Sequence, residues 1–370
     1  MSDFVVSARK YRPVSFDTIV GQAAIANTLK NAIKSKHLSQ AYLFCGPRGV
    51  GKTTCARIFA KVLNCSNLTD NVEACGQCES CVSFAENRSF NIHELDAASN
   101  NSVDDIRQLI EQVRITPQVG DYSIYIIDEV HMLSQAAFNA FLKTLEEPPK
   151  HAIFILATTE KHKIIPTILS RCQIFDFKAI SVQDAVDHLQ YIAQKEGVQA
   201  EAEALNVIAQ KADGGMRDAL SIFDQVVSFC GKEVTYKKVI ENLNVLDYDY
   251  YFKLVEDCKQ QKVSEVLLTF NEILANGFDA QGFINGLAAH LRDVLVSKDA
   301  ATLPLLEVGD AIKKKYQEQA QSTSEAFLYE ALVLCNECDV SYSKSKNKRL
   351  LVELTLIRLA QLTDQKKNES

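Results

Sequence analysis

Apolar positions fall into two regimes along this chain. In the first half they come as short unbroken runs: AYLFC (41–45), FNIHELDA (90–97), YSIYIID (122–128), AIFILAT (152–158) and a shorter QIFDF (173–177). Runs of that length, closed by turn residues, have the pattern of strands buried on both faces of a parallel sheet. Between them, VDDIRQLIEQV (103–113) and SQAAFNAFLKTLEE (134–147) repeat at helical spacing. The second is opened by Ser134 as an N-cap and stopped by Pro148-Pro149. Strands alternating with helices predict a doubly wound α/β domain over residues 1–179.

After about residue 179 the strand signal stops. SVQDAVDHLQYIAQKEG (181–197) and EAEALNVIAQKADGGMRDALSIFDQVV (201–227) carry apolar residues at helical spacing, with Gly197 and Gly214-Gly215 where helices should end. A small helical domain is expected over 180–242. From 243 to 370 the pattern is again helical, clearest in GFDAQGFINGLAAHLRDVLV (277–296) and EAFLYEALVLCNECDVSY (325–342), and predicts a third, all-α domain. Only the closing DQKKNES reads as a solvated tail.

Composition narrows the classes. With 370 residues, 47% hydrophobic and 24% charged, the chain can build two or three cored domains. No apolar run approaches a membrane span, and MSDFVVSARKYRP lacks the apolar core and cleavage site of a signal peptide, so a cytoplasmic location is expected. In that reducing compartment eleven cysteines are metal ligands or buried thiols rather than disulfides. A net charge of -7 argues against a globally basic nucleic-acid binder while leaving room for a local basic surface.

Directly after the first strand, Gly46-Pro47-Arg48-Gly49-Val50-Gly51-Lys52-Thr53, followed by Thr54, fits the phosphate loop G-x-x-x-x-G-K-[ST]. Glycines let backbone N–H groups curl around phosphates, the following helix N-terminus adds its dipole, Lys52 brings a point charge and the Thr53 hydroxyl can ligate magnesium. Asp128 and Glu129 end YSIYIID at the sheet's carboxyl edge, where ligands of such sheets bind. Asp128 suits a magnesium-water ligand and Glu129 a residue that orients or deprotonates the attacking water. Thr158 and Thr159 end the next strand, and spacing does not decide which hydroxyl meets a γ-phosphate. Arg171 in S-R-C and Arg217 in GGMRDAL are further phosphate partners, each by itself an ordinary surface charge.

Cys65, Cys75, Cys78 and Cys81 give C-x9-C-x2-C-x2-C. Four thiolates at two-residue gaps suit a closed tetrahedral zinc site. A [4Fe-4S] cluster takes the same number but normally brings electron-transfer or radical motifs, which this chain lacks. Unmetallated or disulfide-bonded cysteines are the remaining alternative. Zinc would staple an insertion at 65–81 too short to form a core of its own. Cys335 and Cys338 lie within a helical pattern and read as buried helix thiols; Cys45, Cys55 and Cys172 receive no role.

Taken together, ARKYRP (8–13), FDTIVGQ (16–22), GPRGVGKTT, the cysteine insertion, DEVHML, LATTE, ILSRCQIF and GGMRDALSIFDQ resemble the gamma/tau subunit family of bacterial DNA polymerase III, the ATPases of the sliding-clamp loader. The resemblance is specific over about residues 4 to 230 and softer beyond. It implies an α/β P-loop AAA+ ATPase domain with a zinc-binding insertion, a helical lid and an all-α collar. By that likeness Tyr11, Arg12, Pro13 and Val20 contact the adenine side of ATP. Thr159 matches sensor 1, Arg217 matches sensor 2, and Arg171 reaches into a neighbouring subunit's ATP site. The implied cofactors are ATP, Mg2+ and Zn2+. The implied partners are copies of itself, delta and delta prime in a five-membered ring, the sliding clamp and primer-template DNA, with no membrane. Delta prime shares the SRC motif and zinc module but has a degenerate phosphate loop, so the intact Gly51-Lys52-Thr53 favours gamma/tau. Longer members carry further domains for polymerase and helicase, so this chain is read as either the short form or a truncated piece of a longer one, and tethering of those partners stays open.

Two other readings stand beside that one. An interaction scaffold could use its ATP site as a slow structural switch. Another AAA+ motor, a branch-migration helicase or a replication initiator, would not predict the zinc insertion, and the initiator would bring a helix-turn-helix. No palm domain with two metal-binding acids is visible, so the expected chemistry is phosphoanhydride hydrolysis and not polymerisation.

Overall fold

A computed structural model of the chain describes residues 5–117 and 120–362; the DQKKNES stretch lies outside the described residues. Internal contacts divide the chain into two units, residues 1–196 with 208–225, and 197–207 with 226–370.

In the first unit each of the five apolar runs is a strand: β1 (Ala41–Cys45), β2 (Ile92–Asp96), β3 (Ser123–Asp128), β4 (Ala152–Thr158) and β5 (Gln173–Asp176). They form one parallel sheet in the order β2-β3-β4-β1-β5. Every residue of β1 and β4 is buried, which is why these runs are apolar without alternation. Successive side chains still go to opposite faces. Tyr42 and Phe44 pack with Ala56 and Phe59 of the helix Lys52–Leu63, while Leu43 and Cys45 share the other core with Ile106, Phe138 and Phe141. Register places Cys45 opposite both Thr158 and Asp176, and Asp96 opposite Asp128, so the polar ends of the strands gather at one edge.

Local signals behave as their chemistry requires. Ser134 caps the helix Gln135–Glu146, its hydroxyl accepting the Ala137 N–H at 3.2 Å. That helix ends ahead of Pro148, whose ring disfavours helical backbone before it.

The second unit is built mainly from the helices Tyr248–Lys259, Val263–Ala275, Ala280–Val296, Asp310–Ser322, Glu325–Tyr342 and Lys348–Gln361. Leu254, Phe270, Leu287, Leu328 and Leu356 are buried in its core, and so are Cys335 and Cys338, as the helix-thiol reading expects. The strand signal does not end entirely at 179, because Gln199–Ala200 pairs in parallel with Glu233–Val234. A ladder of two residues is too short to leave a hydrophobic period. No helix among the described residues is long and apolar enough to cross a membrane.

Inside that core His290 is 2% exposed. Its Nε2 lies 2.8 Å from Gln319 Oε1 and its Nδ1 3.0 Å from the Tyr316 hydroxyl. Because Gln319 spends its amide N–H on the Phe252 carbonyl, Nε2 must be the donor and Nδ1 accepts from Tyr316. Burial pushes the imidazole pKa down from 6.5 to about 4. An unfolded chain therefore takes up a proton below pH 6.5 that the folded one refuses, and stability falls as pH drops towards 4. Between pH 7 and pH 5 the helix Ala280–Val296 should lose about 2 kcal/mol of protection against hydrogen exchange, after correction for intrinsic rates. His290→Gln should remove that dependence; an unchanged pH profile in the variant would show that His290 is not its source.

Candidate nucleotide site and cysteine cluster

The loop after β1 has the shape its glycines allow. Gly46, Gly49 and Gly51 all have positive φ, at 147°, 78° and 99°. At Gly46 the need is also steric, since a Cβ there would lie 2.4 Å from the Phe177 carbonyl oxygen. The turn brings the Gly46 and Pro47 carbonyls onto Lys52 Nζ, which donates to them at 2.8 and 2.7 Å. Burial lowers the Lys52 pKa, an effect only partly opposed by the nearby carboxylates of Glu129 and Asp128. A buried cation facing neutral carbonyls is poised for an anion.

Across the sheet edge, the Thr53 hydroxyl donates to Asp128 Oδ2 at 2.6 Å, tying the loop's helix to the end of β3. Glu129 follows in the left-handed region, at φ 47° and ψ 44°. For a residue with a Cβ, such backbone costs on the order of 1–3 kcal/mol and is typical of functional sites. Its Oε2 accepts from the Thr159 N–H at 3.3 Å and the Thr159 hydroxyl at 3.1 Å. Thr158, fully buried, instead meets His131 at 3.0 Å. The two adjacent threonines therefore serve different partners.

Lys52, Thr53, Asp128 and Glu129 line a cavity of about 600 Å³, within the usual range for small-ligand sites, whereas Gly46, Pro47, Thr158, Thr159 and His131 stand outside its lining. Arg48 through Thr54, with Asp128 and Glu129, supply its polar lining; Tyr11, Pro13, Val20, Ile180, Met216 and Leu220 supply apolar lining. Arg12 and Arg217 also line it. Arg12 Nε donates to Thr54 Oγ1 at 3.1 Å, and its pKa is lowered first by burial and then by the neighbouring Arg57. The Arg217 side chain has no hydrogen-bond or ion-pair partner among the described residues. The N-terminal strip is pinned by contacts that no local motif announces. Ser7 N–H donates to Asp224 Oδ2 at 2.7 Å, and Tyr11 and Lys10 both donate to Glu196.

Arg171 is not brought to this cavity. It donates to Glu146 at 2.8 Å and to the Thr167 carbonyl at 2.6 Å. Sequence reasoning does not find Asp224, Glu196, His131 and Glu160, because the contacts that single them out, with Ser7, Tyr11, Thr158 and His131 in turn, join distant positions of the chain.

The four cysteines of the insertion do converge. Their Sγ atoms lie within 4.8 Å of one another, against about 3.8 Å between sulfurs sharing a tetrahedral zinc. Backbone N–H groups of Cys75 and Cys78 point at Cys65 and Cys75 sulfurs at 3.2 and 3.3 Å, as donors that favour thiolate do. Burial pushes Cys81 and Cys65 up, while at Cys78 amide donors overcome burial and hold the thiol down at about 6. The donor set fits a divalent metal.

A phosphate loop after β1, an acid pair after β3 and an arginine from the helix Met216–Cys230 line one cavity at the carboxyl edge of a parallel sheet, which defines a P-loop nucleotide-binding fold. Family models match the chain in three stretches: DNA polymerase III, delta subunit, over 21–181; DNA polymerase III clamp loader subunit, ATPase lid domain, over 184–232; and DNA polymerase III subunits gamma and tau domain III, over 234–370. The chain is 41% identical to DNA polymerase III subunit tau of Bacillus subtilis over 357 residues, 96% of this chain and 63% of that one. With DNA polymerase III subunit gamma of Buchnera aphidicola it shares 33% identity over 97% of its own length and 98% of the relative's. A solved Thermotoga maritima RuvB Holliday junction branch migration motor is similar at 20% identity and a TM-score of 0.48, over 67% of this chain and 78% of that one. The chain belongs to the gamma/tau subunit family of DNA polymerase III. It spans between about half and two-thirds of the length of several curated relatives it matches.

Gly46→Ala should destabilise the nucleotide-binding unit by more than about 2 kcal/mol and weaken nucleotide binding, because the new Cβ meets backbone that cannot step aside. Thermal unfolding and a nucleotide titration check both; parent-like behaviour would mean the loop does not need the Phe177 contact.

Proposed function

We propose that this chain is the ATP-hydrolysing subunit of a replicative clamp loader, using ATP binding to open the sliding clamp around primer-template DNA and hydrolysis to release both. The observation that carries the reading is the intact phosphate loop joined through Thr53 to Asp128, with Glu129 beside it in the cavity. Lys52 would exchange its loop carbonyls for the β- and γ-phosphates. Glu129 would orient the attacking water and accept its proton, Thr159 and Arg217 would meet the γ-phosphate, and the apolar lining would hold adenine. Magnesium would be held by Thr53 and, through water, by Asp128, and would neutralise phosphate charge. The chemistry is hydrolysis of a phosphoanhydride, not nucleotide polymerisation, and the expected setting is the cytoplasm.

The proposed organisation is an AAA+ domain over 1–179, a lid over 180–242 and a collar over 243–370 that joins copies of this chain with delta and delta prime in a five-membered ring. Exposed apolar side chains on the helical unit support an assembly role: Tyr329 and Val340 on one helix, Leu350 and Leu354 on the next. Arg171, outside its own cavity and partly exposed, would act in the neighbouring subunit's site. Zinc on Cys65, Cys75, Cys78 and Cys81 would be structural.

If the arginine works in trans, Arg171→Ala should bind ATP normally and lose clamp- and DNA-stimulated hydrolysis by about 10³-fold. Lys52→Ala should lose nucleotide binding or turnover. Mixed in one assembly, the two inactive chains should recover some activity, since an intact phosphate loop can then sit beside an intact arginine. Mixed rings that form but stay inactive would refute the trans role. Elemental analysis should find about one zinc per chain, and Cys78→Ser should lower it and expose residues 65–81 to protease while ATP still binds. Stoichiometric iron, or no metal, would overturn the zinc assignment.

A further inference from the structure

The carboxylate of Glu129 borders a buried polar group that the roles above leave unused. His131 lies in the turn Val130–Met132 that follows the left-handed Glu129 backbone, and its side chain is 6% exposed. Its Nδ1 is 3.0 Å from Thr158 Oγ1 and 3.4 Å from Glu129 Oε2; its Nε2 is 3.2 Å from Glu160 Oε1. Thr158 Oγ1 in turn accepts the Glu160 N–H at 3.0 Å. One imidazole thus joins the carboxylate after β3 to the carboxylate after β4.

We propose that His131 is the positioning residue for Glu129, fixing where its carboxylate stands relative to the attacking water; this rests on the reading of Glu129 as the water-orienting base. The reason is the sharing of one oxygen. Glu129 Oε2 is held by Thr159 and also faces His131, but Thr159 is the group a γ-phosphate would engage. When substrate takes the threonine hydroxyl, His131 and the Thr159 backbone N–H are the neighbours left, among the described residues, to restrain that carboxylate, and His131 is the side chain of the two. Glu160 serves as the anchor on the far side: it accepts from Lys163 at 2.8 Å, and its pKa is lowered chiefly by that lysine. The ring therefore stands between Glu160, paired with Lys163, and the acid that must be aimed. Small errors in aiming a base are expensive in rate and cheap in binding.

Single-turnover ATP hydrolysis and equilibrium ATP binding by the full chain separate the two effects. His131→Ala should slow hydrolysis about 10- to 100-fold with ATP affinity within about twofold of the parent. His131→Asn, which returns a polar atom near the Nδ1 position, should recover most of the rate. In a Glu129→Gln background, His131→Ala should cost no more than about a further twofold, since no base is left to aim. Retained ATP affinity reports a folded site; if the alanine variant loses it, His131→Phe, which keeps ring volume without nitrogens, carries the same expectation. Parent-like hydrolysis in the variant that binds ATP, or an equal loss with and without Glu129, overturns the proposal. If Glu129→Gln itself hydrolyses at the parent rate, the reading of Glu129 fails first and the positioning role falls with it, by a separate observation.

Discussion

The nucleotide site depends on one close approach of backbone to backbone, where Gly46 passes the Phe177 carbonyl with no room for a side chain. Phe177 N–H also donates to the Cys45 carbonyl at 2.7 Å, so the exit of β1 is held against the chain leaving β5. From that fixed point the loop can turn only through left-handed glycines, and the turn exposes two carbonyls that Lys52 occupies. Lys52 is thereby buried as a cation with partial charges for company. The arrangement is stable enough to fold and unsatisfied enough to bind phosphate, which is the physical content of a phosphate loop.

A second constraint acts at the end of β3. Asp128 is still on the strand and is fixed by Thr53, whereas Glu129 has already left it into strained backbone. The strain separates two adjacent acids: one is tied to the Thr53 hydroxyl, the other is turned to Thr159 at the end of the next strand and to His131 two residues on. Without the left-handed step the two carboxylates would alternate across the sheet as strand residues do. The cysteine insertion shows a related economy, because four sulfurs and their amide donors replace a core that a segment of this length cannot supply.

Much of this was legible beforehand where the signal is local. AYLFC, YSIYIID and AIFILAT announce buried strands because burial on both faces removes polar residues from an unbroken run, and the structure has a strand at each. Ser134 announces a helix start because its hydroxyl serves an N–H three residues on. The two-residue ladder at 199–200 was not legible, being shorter than any period.

By itself the sequence determined the elements, the phosphate loop, the acid pair and the four-thiol cluster. Each is a matter of residue type at short spacing, and its chemistry is complete within a few turns of chain. Tertiary structure alone decided the order of the strands, the choice between Thr158 and Thr159 as the partner of Glu129, the place of His131 between two carboxylates, and the clasp of Ser7 on Asp224. Apart from that of His131 with Glu129, two positions away, those side-chain contacts join residues from 27 to 217 positions apart. No periodicity links such positions; they meet only because the parallel sheet brings the carboxyl ends of its strands to a common edge and the helices fold back over them.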